Sequence, residues 1–239
     1  MTHLQVKPVF VKTKNVRNFE VMMDGLELGA GEGRLGLVYG RAGRGKTRTA
    51  IWYNANHGCI YLRVATIWRT SELSFLRALC RELHINPPPH RKGTCYREII
   101  DRLVNDPRPV FIDEIEKLPR SFLDVVRDLT DMTTAPFILI GEEELVPYMR
   151  RNRRVWSRTY RQVEYGPIGL PEIIFFAKET AGLQMTQAVG QILEQSSGGD
   201  FRIIKRDLLA LVQYADANQT SEVTVEMARI AVKAGLTGK

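Results

Sequence analysis

Hydrophobic residues in this chain follow two rhythms. RLGLVY (34–39), CIYLRV (59–64), PVFID (109–113) and FILIG (137–141) are short and apolar almost throughout, which marks strands buried on both faces. Between them the period lengthens. TRTAIWYNAN (47–56) follows a glycine-rich turn and reads as a helix, and SELSFLRALCREL (71–83) sets Leu73, Leu76, Leu79, Cys80 and Leu83 at helical spacing, with Thr70 or Ser71 to cap it. TCYREIIDRLVND (94–106) and SFLDVVRDLTDM (121–132) read as two more helices, the second capped by Ser121. HINPPPHRKG (84–93) cannot be helical, because three consecutive prolines lack N–H donors, and is expected to be an exposed loop. Strands alternating with helices predict an α/β fold whose parallel sheet lies between helices, with ligands bound at the carboxyl ends of the strands.

After RQVEYGPIGLPE (161–172) the strand signals stop. EIIFFAKETAG, TQAVGQILEQSSG, FRIIKRDLLALVQYADAN and VTVEMARIAVKAG are all helical in pattern, so a small all-helical C-terminal domain is expected. The expected organisation is an N-terminal extension packing on the core (1–33), an α/β core (34–168) and a helical lid (169–239).

Composition changes this picture little: 239 residues, 44% hydrophobic and 26% charged, suit one full domain with a smaller second one. The three cysteines have no CxxC spacing and read as reduced and structural. With no signal-peptide core and no apolar run of the roughly 18 residues that span a bilayer, a cytoplasmic protein without a membrane partner is expected. A formal charge of +7 and a pI near 9.4 fit a polyanionic partner such as nucleic acid.

Chemistry is concentrated at two strand ends. GRAGRGKT, residues Gly40, Arg41, Ala42, Gly43, Arg44, Gly45, Lys46 and Thr47, satisfies GxxxxGK[ST] between a predicted strand and a predicted helix. In that context the glycines let backbone N–H groups wrap phosphates, Lys46 neutralises the β and γ phosphates, and the Thr47 hydroxyl ligates Mg2+. Arg48 follows at the helix start. VFIDE then ends a buried strand on Asp113, within reach of a Thr47-bound Mg2+, and Glu114, suited to activating the water that attacks ATP. The bland readings are an accidental glycine-rich turn and a surface acidic pair; each weakens when both motifs occur together. The four histidines form no metal set, leaving Mg2+ as the expected metal.

A P-loop, a DE-type acidic strand end and a helical C-terminal part resemble the AAA+ ATPases over nearly the whole chain. APFILIGEEEL, RRVWSRTYRQVEYGPI and SGGDFRIIKRDL look most like the transposition-helper group, which includes the phage Mu transposition protein B, TniB and TnsC. The resemblance implies that Arg158, or else Arg154, is an arginine finger acting in trans on a neighbouring subunit's γ-phosphate, and that Arg202 contacts nucleotide from the lid. It also implies a homo-oligomer, ring or helical filament, assembled with ATP on duplex DNA to recruit or activate a transposase. Arg63, Arg69, Arg77, Arg91 and Lys92 are candidates for sequence-independent phosphate contacts. The bland alternative makes all these arginines a solvated basic face. The chain departs from the family where a polar Asn, Thr or Ser is usual after the fourth strand: it has Gly141, then Glu142. Two rival functions stay open, a secretion-type ATPase acting on protein machinery and a replication initiator or helicase loader, although the latter often carries a winged helix for which little chain remains.

Overall fold

The structure, a computed structural model, describes residues 6–29 and 34–237. Of the expected N-terminal extension, residues 1–5 and 30–33 therefore lie outside the described residues. The chain divides into two compact units, one holding Asn15–Arg41 and Lys46–Tyr165, the other holding residues 6–14, Ala42–Gly45 and the chain from Gly166 onward.

In the first unit β1 (Leu35–Tyr39), β2 (Ile60–Arg63), β3 (Val110–Asp113), β4 (Phe137–Ile140) and β5 (Thr159–Glu164) form a parallel sheet in the order β2-β3-β4-β1-β5. The two faces of the sheet carry separate apolar cores, and successive strand residues alternate between them. Leu37, Ile112 and Leu139 enter one core with Phe75, Leu79 and Val126, whereas Val38, Phe111 and Ile138 enter the other. Burial on both faces is why β3 and β4 read as unbroken apolar runs.

Helices α2 (Lys46–His57), α3 (Glu72–Glu82), α4 (Lys92–Asn105) and α5 (Arg120–Met132) connect the strands, followed by the short α6 (Leu145–Arg150) and α7 (Arg153–Trp156). Ser71 caps α3 as the sequence suggests, accepting the Ser74 N–H at 3.1 Å. Ser121 does not cap α5. The helix already includes Ser121, beginning at Arg120 with the extended Pro119 at the cap position and no side-chain cap bond, so the Ser121 hydroxyl stands inside the first turn.

A helix absent from the sequence reading, α1 (Lys14–Leu28), covers the second face, burying Phe19, Met22, Met23 and Leu26. The expected extension is thereby split, since residues up to Lys14 belong to the helical unit. There Val11 joins the core and Lys7 N–H donates to Thr180 O at 2.8 Å. That unit is built from α8 (Leu170–Ala181), α9 (Gln187–Ser197), α10 (Phe201–Ala217) and α11 (Val225–Thr237) around Ile173, Leu193, Leu208 and Leu211. Strand structure does not stop where the sequence signals do: β6 (Gln184–Met185) pairs in parallel with β7 (Glu222–Val223), segments too short to carry an alternating pattern. Among the described residues no helix is long and apolar enough to cross a membrane.

Phe19 is 1% exposed and meets Tyr53 edge-on at 5.3 Å. Phe19→Ala is expected to destabilise the protein by about 3–5 kcal/mol, read from denaturant unfolding.

Candidate functional site

The carboxyl end of β1 runs directly into the glycine-rich loop. Gly40 has φ 140°, and an added Cβ would lie 2.5 Å from Tyr165 O, so neither the backbone angle nor the space admits a side chain. Gly43 has φ 77°, and a Cβ there would meet the Asp200 carboxylate. Lys46, the first residue of α2, donates from Nζ to Gly40 O at 2.5 Å and Arg41 O at 2.9 Å, which holds its ammonium against the loop. Arg41 is exposed and pairs with Glu143 at 3.3 Å, and Arg48 is exposed on α2.

Within the helical unit, the loop apex Ala42–Gly45 meets the start of α10. Phe201 N–H donates to Gly43 O at 2.9 Å, and Arg44 Nη1 donates to Gly198 O at 2.7 Å. Asp200 caps α10, accepting the Arg202 N–H at 2.7 Å. Arg202 thus follows directly the residue bonded to the loop, with its side chain exposed.

Thr47, also in the first turn of α2, donates from Oγ1 to Asp113 Oδ2 at 2.7 Å. The Asp113 carboxylate is 2% exposed yet fully engaged: Tyr61 Oη donates to Oδ2 at 2.8 Å and Glu114 N–H donates to Oδ1 at 3.0 Å. Burial first, then the Asp113 charge, pushes the Tyr61 hydroxyl well above its usual range. The Thr47 and Asp113 oxygens form a hard, all-oxygen pair, the donor type Mg2+ prefers, with its other positions normally filled by phosphate and water. Among the described residues no set of three His, Cys, Asp or Glu is placed to hold a metal by itself. The residues therefore fit Mg2+ as a nucleotide-bound ion rather than as one caged by protein.

Glu114 has left-handed backbone angles, φ 61° and ψ 40°, which cost a residue with a Cβ about 1–2 kcal/mol. Its carboxylate is held by two cations. Arg63 Nη2 donates to Oε1 at 2.5 Å and Lys117 Nζ to Oε2. The Arg63 hydrogen bond, aided by Lys117, keeps the carboxyl below the usual carboxylate range against the opposing effect of partial burial.

Arg158 stands just before β5, at the amino end of the sheet, where its carbonyl accepts the Leu35 N–H. The glycine-rich loop leaves β1 at the other end, a strand length away, or about 17 Å at 3.3–3.4 Å per residue. Arg158 makes a two-pronged ion pair with Asp131, Nε to Oδ1 at 3.0 Å and Nη2 to Oδ2 at 3.2 Å. Arg154 is exposed on α7. Of the basic residues singled out from the sequence, Arg69 and Lys92 line one cavity of about 510 Å³ with Ser71 and Ser121, while Arg91 is exposed at the α4 N-cap. Arg77 is half-buried, with Nε unbonded among the described residues. Arg63 is drawn to Glu114, a role that sequence position alone did not suggest. Tyr61 was missed altogether; its place next to Arg63 on β2, the strand paired with β3, was the available signal.

Residues 30–149 match the family described as AAA domain. The chain is 24% identical over 206 residues to the Mu-like prophage FluMu DNA transposition protein B of Haemophilus influenzae, an alignment covering 82% of this chain and 70% of that protein. Among solved structures, it is similar to Cdc6p from Pyrobaculum aerophilum, with a TM-score of 0.71, 16% identity, and coverage of 98% of this chain and 71% of that one. It is also similar to the Aeropyrum pernix ORC1 protein in complex with DNA, with a TM-score of 0.61, 17% identity, and coverage of 93% and 64%.

Because Arg63 lowers the Glu114 pKa, Arg63→Ala should move that carboxyl back up toward its ordinary value of 4.5, as read by carboxyl carbon NMR titration. The pairing contributes fully above the ordinary carboxylate range and is lost as pH falls through the lowered value, so the stability gap between wild type and variant should close in acid.

Proposed function

The chain belongs to the AAA domain family, and from that premise we propose that it is an ATPase that assembles on duplex DNA and recruits or activates a transposase. The observation that carries the nucleotide half of this reading is the Thr47–Asp113 hydrogen bond at 2.7 Å, which joins the glycine-rich loop to a buried acidic strand end. Residues 40–47 bind the phosphates through backbone N–H groups, with Lys46 exchanging its loop carbonyls for phosphate oxygens. Thr47 and Asp113 would hold Mg2+, which neutralises phosphate charge when bound. Glu114 accepts a proton from the attacking water, and to do so it must be released by Arg63 and Lys117.

Three observations support assembly on DNA. Arg158 lies at the sheet end remote from its own loop, which suits a group serving a neighbouring copy. Arg69 borders a cavity that it shares with the Lys92–Glu72 ion pair, and is the natural phosphate contact there, one that would make binding salt-sensitive and indifferent to sequence. The 24% identical relative is named for DNA transposition. ATP binding then favours assembly and hydrolysis reverses it, because each interface shares one copy's loop and the next copy's arginine.

The test is binding to random-sequence duplex DNA with ATP and with ADP at two salt concentrations, using wild type, Glu114→Gln and Lys46→Ala. ATP-dependent, salt-sensitive binding that persists in Glu114→Gln and disappears in Lys46→Ala is expected, with rings or filaments by electron microscopy. Absence of DNA binding in every nucleotide state would overturn the reading in favour of an ATPase acting on protein.

A further inference from the structure

We infer that Glu116 makes a second contact to the water that attacks ATP, from a place beside Gly141 at the end of β4. The inference rests on the ATPase reading above. Its geometry comes from strand register. Asp113 pairs with Ile140 across β3 and β4, so Glu114 and Gly141 leave the sheet side by side. Gly141 N–H donates to Val38 O on β1 at 3.0 Å, just before Tyr39 and the phosphate loop. Gly141 therefore sits where the three central strands end, between the loop and the acidic pair.

Gly141 is buried and leaves a space that Glu116 fills: an added Cβ would lie 2.5 Å from Glu116 Oε2. That oxygen is buried and has no hydrogen-bond partner among the described residues. Its neighbours differ, since both oxygens of Asp113 and both of Glu114 are engaged. A buried carboxyl oxygen without a partner is destabilising, and such an atom calls for a partner that the described residues do not supply. Water held between Glu114 and Glu116 is that partner. Burial pushes the Glu116 carboxyl above its usual range, opposed by a bond to its own backbone and reinforced by Glu142, Asp113 and Glu114.

The chemistry balances without any further reagent. Water donates one hydrogen to each carboxyl group, which turns its lone pair toward phosphorus. As the new O–P bond forms, the bond to the bridging oxygen breaks, ADP leaves and Glu114 takes the proton. Glu116 gains and loses none.

The experiment uses the full chain as wild type, Glu116→Ala, Glu116→Gln, Gly141→Ala and the Glu116→Ala/Gly141→Ala double variant. ATP turnover, affinity for a fluorescent ATP analogue and thermal unfolding are measured on each. Glu116→Ala is expected to lower kcat about 100-fold, the scale of a misplaced reacting group, with analogue affinity held within about twofold. Glu116→Gln, which keeps an acceptor oxygen, should retain most of the rate. Gly141→Ala should act by displacing the carboxyl, so it should lower kcat alone and add nothing to Glu116→Ala. Turnover by wild type that Glu116→Ala leaves unchanged, additive effects in the double variant, or a fall in affinity that accounts for the lost rate would each overturn the inference alone. Failure of wild type to hydrolyse ATP would overturn the ATPase reading with it.

Discussion

The hydrogen bond from Thr47 to Asp113 connects residues 66 positions apart in the chain, and the chemistry of the sheet unit depends on what makes it possible. All the strands of that sheet run in one direction, so the carboxyl ends of β1 and β3 reach the same edge although β4 lies between them. In an antiparallel sheet β4, which lies between them, would end at the opposite edge and carry Gly141 away from both. The parallel arrangement in turn requires helices on both faces, which is why the unit needs α1 as well as α2 to α5. Phe19, Met22 and Met23 are remote from phosphate chemistry, yet they seal the face on which Val38, Phe111 and Ile138 lie.

A second theme is the use of cations to manage carboxylates. The chain carries a formal charge of +7, but several of its positive side chains are already committed internally. Arg63 and Lys117 hold Glu114, Lys92 meets Glu72, Arg158 meets Asp131, and Arg206 meets the fully buried Asp207. Most of these pairs are partly exposed and contribute little to stability. Their effect is on availability: Glu114 is withheld by groups that a ligand could draw away, and net charge overstates the positive surface left for a polyanion. Among the described residues Arg69 has no acidic ion-pair partner, so on the proposed reading it is better placed than Arg63 to meet a phosphate.

Much of this was legible in the chain. The buried strands announced themselves because residues covered on both faces have no polar alternation to hide, and the glycine-rich loop did so because its backbone angles and close approaches exclude side chains at fixed spacing. Asp113 and Glu114 were legible for a similar reason, as charges placed where an apolar run ends. α1 was the weaker signal: Val16, Phe19, Met23 and Leu26 recur at helical spacing, but no acidic residue marks its first turn and no basic residue its last. β6 and β7 are too short to leave a pattern.

The sequence by itself determined the buried strands, the helices that alternate with them, the glycine-rich loop and the acidic strand end, because each depends on residues adjacent in the chain or on a fixed local period. Tertiary structure alone decided which of those residues meet. Tyr61 shares Asp113 with Thr47, and Arg63 takes Glu114, only because β2 pairs in register with β3. Glu116 fills the space beside Gly141 only because β4 lies next to β3. Strand order and register are set by the packing of whole faces, a property distributed over many residues and carried by none of them singly.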